Sequence, residues 1–463
     1  MESAVLALGR KILPWSLYER LVSSSIAGRL ARGSLWSLFG SASARILVLA
    51  AMILVARVLG QVSFGELGLI QSTLGMAGLM AGVGLGGTAT RFVAKYATSD
   101  PLRAGCVIAL VTSVSIGTVL LATVVLISVS GLIAGAMLNA PQLQSALVWG
   151  SLLMAGTAFR GIQGGVLAGL EKFDALAKLN ILEGVVSLIA MVFLARLMGV
   201  EGVVLGLALG AIMVWLVGRI LMMKEQGSRG IVVSYGGCGA DWRILTGYSL
   251  PSLMANLVAT PVLWFAMTLV ARSGQGFAGL GVYNAAYQWH GPMMFIPMIL
   301  MSVSIPVLVQ EWEAGRRDRF RRVTLWICGL MLALSLPPAV LAALLSPWIM
   351  SLYGPGFREG WTVLVLLLAA APLHALAKIA SGALLGMNRA WWVLGVNLGW
   401  GATLLAVTAW LVPTRGVMGL AIGFLAAYGI LGPFCVASVL VGSRQRLVSN
   451  FEPHTASHQR KDC

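Results

Sequence analysis

Apolar residues arrive in this chain as separate runs of about 20, the length a helix needs to cross roughly 30 Å of hydrocarbon. No other feature constrains the fold as strongly. Strands of a membrane barrel would be shorter and would alternate apolar with polar positions, which these runs do not. A mean hydropathy of +0.89 with 10% charged residues against 58% hydrophobic ones excludes a soluble enzyme of this length.

Charged and turn-forming breaks divide the apolar sequence into twelve spans, beginning near Ser34, Gly65, Ala104, Ser145, Ala175, Gly202, Thr246, Gly281, Val323, Gly360, Ala390 and Gly416. The expected fold is therefore all-α and polytopic, with about twelve transmembrane helices. Residues 1–33 interleave Arg10, Lys11, Arg20, Arg29 and Arg32 with Ile12, Leu13, Trp15 and Leu17, as suits an amphipathic arm at the cytoplasmic interface. Its apolar stretch is too interrupted for a signal peptide. Residues 34–223 form the first six spans and 246–441 the second six. Between them lies the Gly-rich polar connection 224–245, and 442–463 make a C-terminal tail.

The net charge of +16 would suit nucleic acid, but its distribution suits a membrane. The arm, the connections after even-numbered spans and the tail together hold 24 of the 32 basic residues. The alternate connections hold only Arg57, Arg196, Arg272, Arg358 and Arg415. Loops rich in Lys and Arg stay inside, so both termini are expected in the cytoplasm and no nucleic-acid partner is expected. Cys106, Cys238, Cys328, Cys435 and Cys463 are scattered with no His/Cys cluster, so neither a disulfide framework nor a metal site is indicated.

Parts of the chain recur in order. Leu54-Val55-Ala56-Arg57 returns as Leu269-Val270-Ala271-Arg272, and Phe64-x-x-Leu67-Gly68 as Phe277-x-x-Leu280-Gly281. Gly165-x-Leu167-x-Gly169 with Asn180 returns as Gly382-x-Leu384-x-Gly386 with Asn397. Gly202-Val203 before Gly206-Leu207-Ala208 returns as Gly416-Val417 before Gly419-Leu420-Ala421, all at offsets of 213 to 217. Six spans per unit is an even number, so the repeat is parallel, about an axis along the membrane normal, with a cleft between the halves.

The three remaining basic residues, Arg45, Arg160 and Lys378, fall inside spans, where a charge is costly and marks a functional candidate. Arg45 lies about midway along the first span; Arg160 and Lys378 lie in cytoplasmic halves, where snorkelling to the headgroups is the alternative. Glu183 is the one clear intramembrane carboxylate, a candidate for ion or proton coupling or simply a partner for Lys178 or Arg160. His290 and His374 are candidates for proton coupling or hydrogen-bonded packing residues. Asn256, Tyr283, Asn284, Tyr287 and Gln288 offer hydrogen bonds either to sugar hydroxyls or between helices. Pro251, Pro261, Pro292, Pro297, Pro306, Pro337, Pro338 and Pro372 free backbone carbonyls in or beside the second six spans and permit bends.

Arg45 through Ala56-Arg57-Val58-Leu59-Gly60 and Phe64-Gly65, then Gly281-Val282-Tyr283-Asn284-Ala285-Ala286-Tyr287 with Pro297 and Ile305-Pro306, and Leu352-Tyr353-Gly354-Pro355-Gly356-Phe357, together with the Gly-x-Leu-x-Gly stretches, carry a resemblance. In that order the chain resembles the bacterial polysaccharide or O-antigen flippases, the lipid-linked oligosaccharide translocases of the multidrug/oligosaccharidyl-lipid/polysaccharide exporter superfamily. The resemblance implies two six-helix lobes in a V around a central cavity, in the inner membrane, alternating between inward-open and outward-open states. It also implies a polyprenyl-pyrophosphate-linked oligosaccharide as cargo, with membrane lipids and other polysaccharide assembly proteins as partners. Cations such as Arg45, Arg160 and Lys378 suit a pyrophosphate and the polar set suits sugar. No cofactor is implied, and proton, sodium or membrane-potential coupling all stay open.

Two rivals follow. A multidrug or cation antiporter of the same superfamily would share the architecture but needs buried carboxylates, which are scarce here. A membrane polysaccharide ligase or polymerase would need a large translocated loop bearing catalytic groups. The connection from Val129 to Ser145 has no ionisable residue, and no catalytic constellation is found.

Overall fold

In hydrocarbon every backbone N–H and C=O must be satisfied within the protein, which a helix does locally. The structure, a computed structural model, describes residues 25–82, 84–234, 242, 258–387 and 389–443, and these contain helices but no strand. The candidate Asn256, Pro251, most of the N-terminal arm, most of the central connection and the tail beyond Ser443 lie outside the described residues.

The first half comprises α1 (Ser25–Gly82), α2 (Leu85–Tyr96), α3 (Pro101–Leu132), α4 (Gln144–Gly169) and α5 (Phe173–Ser228). The second comprises α6 (Ala259–Ala271), α7 (Gly276–Tyr287), α8 (His290–Met293), α9 (Phe295–Glu313), α10 (Arg317–Leu344), α11 (Ser346–Ser351), α12 (Trp361–Gly386), α13 (Ala390–Arg415) and α14 (Val417–Gly442). Among the described residues, eight helical segments are long and apolar enough to cross a membrane. Their outer surfaces are apolar: Leu344, Trp326, Ile220 and Ile189 are all exposed. A water-soluble protein hides such side chains; here lipid covers them.

Two of the helices are too long to be single rods. As one rod the 56 residues of α5 would span about 84 Å at 1.5 Å per residue, far more than a bilayer. Gly199, with φ 60° and ψ −131°, breaks it. Beyond the break Gly206 packs on Met191 and Gly210 on Ser187, so the chain has turned back on itself. The same device joins α13 to α14 at Gly416 (φ 53°), with Gly419 on Leu411 and Gly423 on Thr408. Gly60 (φ 75°) interrupts α1, and Gly276 (φ 53°) opens α7. These φ values lie where a Cβ is strained, which is why glycine occupies the turns.

Local signals fix other ends. Asp100 caps α3 by accepting the Arg103 N–H at 3.0 Å, with Pro101 at the first helical position. The sequence reading ended the sixth span before Lys224, but α5 continues to Ser228 because nothing there stops it until Gly227 and Gly230. Gly230 (φ 65°) then takes the left-handed position that follows a helix. Within the first half α1 packs on α5 and α4, α2 and α3 on α4, and α4 on α5; within the second, α12 and α13 pack on α14 and α10 on α12. The main bridge between halves is α1 against α7 and α6. There Gly65 and Gly281 meet backbone to backbone, and Gly68 leaves room for Asn284. Small residues at such a crossing let helices approach closely.

Candidate functional site

Helical spacing places Arg45 midway along the first limb of α1, and its exposed side chain crosses to the second half. Nη1 reaches the Gly291 carbonyl of α8 at 3.4 Å, and the guanidinium lies 5.4 Å from the centroid of the Phe295 ring. No carboxylate pairs with it among the described residues. A carbonyl and an aromatic face leave most of its five N–H donors free for an anion.

The residue before Gly291 is His290, buried, whose Nε2 lies 2.9 Å from Nδ1 of His374 on α12. One ring must donate and the other accept, so this pair ties α8 to α12. It stands inside a column of nearly parallel rings. Tyr283 stacks on Tyr287 at 5.6 Å, Tyr287 on His290 at 5.7 Å, His290 on His374 at 5.2 Å and His374 on Tyr428 at 4.2 Å. Phe424 closes the side edge-on to Tyr287, His290 and Tyr428. Lys378 follows His374 by one helical turn, on the same face of α12, and like Arg45 has no carboxylate partner among the described residues. The fold thus gathers Arg45, Tyr283, Tyr287, His290, His374 and Lys378 around one seam.

Other candidates are placed differently. Asn284 donates to the Phe64 carbonyl at 3.5 Å and is buried against α1, the helix-to-helix role. Gln288 is half-buried at the C-terminal end of α7. Arg160 on α4 is compensated: Nη2 lies 2.5 Å from Glu183 Oε2 and donates to Asn180 Oδ1 at 2.7 Å. Gly184, next to Glu183, packs on Ala44 and Leu47 beside Arg45, yet the carboxylate pairs with Arg160. Lys178 pairs with Asp174 instead, at 3.7 Å. Between α1, α2 and α4 opens a cleft of 660 Å³ walled by Gly75, Gly78, Gly82, Gly86 and Gly161, with Gln71 and Thr157 as its polar side chains. No group of three or more metal-ligating side chains occurs among the described residues.

Sequence reading missed Tyr428 and Phe424, which the i, i+4 spacing of two aromatics on one apolar span signals only faintly. It also treated Arg57 and Arg272 as loop cations. Arg57 Nε donates to the Leu352 carbonyl, and Arg272 Nη2 to the Ala136 carbonyl, each across to the other half.

A family model described as polysaccharide biosynthesis protein matches residues 30–312. The chain belongs to that family. Among its relatives, the Lipid III flippase of Escherichia coli (strain K12) is 24% identical over 451 residues, covering 90% of this chain and 99% of that protein. The EPS I polysaccharide export inner membrane protein EpsE of Ralstonia nicotianae is 30% identical over 112 residues, 24% of this chain; that match spans only 26% of EpsE. Among solved structures, an inward-facing multidrug resistance MATE family transporter of the MOP superfamily superposes with a TM-score of 0.71 at 15% identity, over 86% of this chain and 94% of that one. An outward-facing MATE family transporter gives 0.66 at 14% identity, over 90% and 96%. Likeness at that identity shows the fold, which is that of the MOP superfamily. The chain is a multi-pass membrane protein of the polysaccharide biosynthesis protein family, in line with the resemblance its motifs carry.

Proposed function

We propose that the chain is a non-enzymatic flippase that moves a polyprenyl-pyrophosphate-linked oligosaccharide from the cytoplasmic to the outer leaflet of the inner membrane, during surface polysaccharide biosynthesis. Two six-helix lobes, residues 34–223 and 246–441, alternate access to a cavity between them, with both termini cytoplasmic. The observation that carries this reading is the pair Arg45 and Lys378, two intramembrane cations without carboxylate partners among the described residues, at the two ends of the His290–His374 seam. A charged group in hydrocarbon costs at least about 3 kcal/mol. A pyrophosphate carries more than one charge, so a cationic path removes the main barrier while the prenyl tail stays in lipid.

Support for paired lobes comes from glycines in matching places. Gly60 and Gly276, both with positive φ, are 216 positions apart, and Gly199 and Gly416 are 217 apart. In that register Gly65 falls on Gly281, three residues off the pairing that the Phe64 and Phe277 match suggests, and the two glycines touch. Arg160 with Glu183 serves on this reading to hold α4 to α5 beside the cavity. Tyr287 and Gln288 face the sugar, and His290 with His374 form the candidate coupling site.

A multidrug antiporter remains the second reading, because MATE transporters share the fold. Against it stands the engagement of Glu183, the one clear intramembrane carboxylate among the described residues, by Arg160. Reconstitution tests the proposal: purified protein in liposomes should carry a labelled pyrophosphate-linked oligosaccharide lipid to the opposite leaflet. Absence of transfer by folded protein, under proton, sodium and potential gradients in turn, would refute it.

A further inference from the structure

We propose that Arg57 and Arg272 are paired latches that hold the outer ends of the two halves together and let go when the protein opens outward; this rests on the two-lobe reading above. Arg57 lies three residues before the bend at Gly60, and its Nε donates to the Leu352 carbonyl at 2.5 Å. Leu352 follows the end of α11. Arg272 follows the end of α6, and its Nη2 donates to the Ala136 carbonyl at 2.5 Å, in the π-helical turn Ile133–Met137 that ends α3. Carbonyls at helix C-termini lack helical donors and sit at the negative end of the dipole, so a guanidinium suits them. The contact is charge-assisted as well.

The geometry is reciprocal. Arg57 and Arg272 close the recurring Leu-Val-Ala-Arg stretches, 215 positions apart, and their acceptors are 216 apart. Where two units are related by a two-fold axis, a contact from i to j brings its mate from the second i to the second j. Chance packing gives one crossing; a symmetric gate gives both. Gly65 and Gly281 meet in the same layer, in direct backbone contact. A third crossing from Gln61 to the Gly356 carbonyl lies beside them. Deeper in the seam Trp264 Nε1 donates to Thr73 at 2.8 Å, and Thr73 is buried.

Both arginines are exposed, and neither has a carboxylate partner among the described residues. Each can therefore exchange its carbonyl for water with little loss, which a reversible gate requires. A buried ion pair at these positions would hold too firmly.

The test places a reporter, Thr73→Cys, in the seam and measures its labelling in intact cells by a membrane-impermeant maleimide added outside. Protein with the native Thr73 gives the background from its own cysteines. Arg57→Ala and Arg272→Ala should each speed labelling to a similar degree, and together by fivefold or more. Arg57→Lys and Arg272→Lys, which keep a charge and a donor, should fall between. A doubly substituted protein that purifies and elutes as the reporter parent does, yet labels at the parent rate, would overturn the proposal. So would faster labelling from one substitution with none from the other. No cargo enters the measurement, so a wrong assignment of cargo leaves its outcome unchanged.

Discussion

Glu183 on α5 holds its carboxylate 2.5 Å from the Arg160 guanidinium on α4, and Asn180, one turn earlier on α5, accepts from the same nitrogen at 2.7 Å. The pair is partly accessible, with side chains 31% and 23% exposed. Each charge is thus answered before any ligand arrives, unlike Arg45 and Lys378.

Removing one partner strands the other. Glu183→Gln is expected to cost about 1–3 kcal/mol, below the ~3–5 kcal/mol of a fully buried pair because water reaches both side chains. Arg160→Met combined with Glu183→Leu should recover most of that loss, since neither charge then remains. Thermal unfolding in detergent reads both; a double substitution less stable than Glu183→Gln contradicts the pairing account.

The all-helical, membrane-spanning character was legible because the bilayer imposes one length and one hydrogen-bonding solution on every span. The glycines within the repeated motifs do sit where the chain turns back or helices touch, as Gly65, Gly281 and Gly416 show. Side-chain partnerships were not legible. Glu183 had two cations within reach in the sequence, Lys178 and Arg160, and only the rotation of α4 against α5 decides between them. The two histidines lie 84 positions apart, so their bond depends on α8 meeting α12. Arg57 and Arg272 were visible as a repeated residue, but a repeat does not say what each copy touches.

Arg45 is expected to carry the largest effect on flipping. Arg45→Ala should slow transfer in liposomes by at least about tenfold, because a charge-assisted contact to the headgroup is lost. Arg45→Lys should keep part of the rate, offering one point charge where the guanidinium offers a fork. Arg45→Glu should abolish it. Full transfer by folded Arg45→Glu protein removes this residue from the pathway.

The His290–His374 bond gives coupling a definite test. His290→Gln and His374→Gln retain a neutral donor and acceptor but no imidazole to carry a proton. If the pair couples transport, uphill transfer driven by a proton gradient should be lost in the double substitution while exchange between equal pools continues. Gradient-driven transfer at the parent rate assigns the pair to packing, as part of the ring column from Tyr283 to Tyr428.

Cargo charge separates the proposed flippase reading from the antiporter reading. A hydrophobic cation entering the seam meets Arg45 and Lys378 with no free carboxylate nearby among the described residues, and like charges about 8 Å apart still repel by about 2 kcal/mol at an effective dielectric of 20. An anionic headgroup gains what the cation loses. Soluble pyrophosphate-lipid analogues should therefore compete with cargo for binding, and cationic drugs should not. In cells lacking their own transporter, the chain should restore surface polysaccharide and leave drug resistance unchanged. Drug efflux that fails on Glu183→Gln, with surface polysaccharide unaltered by the chain, would establish the antiporter reading, because only a carboxylate released from Arg160 supplies the charge such cargo needs.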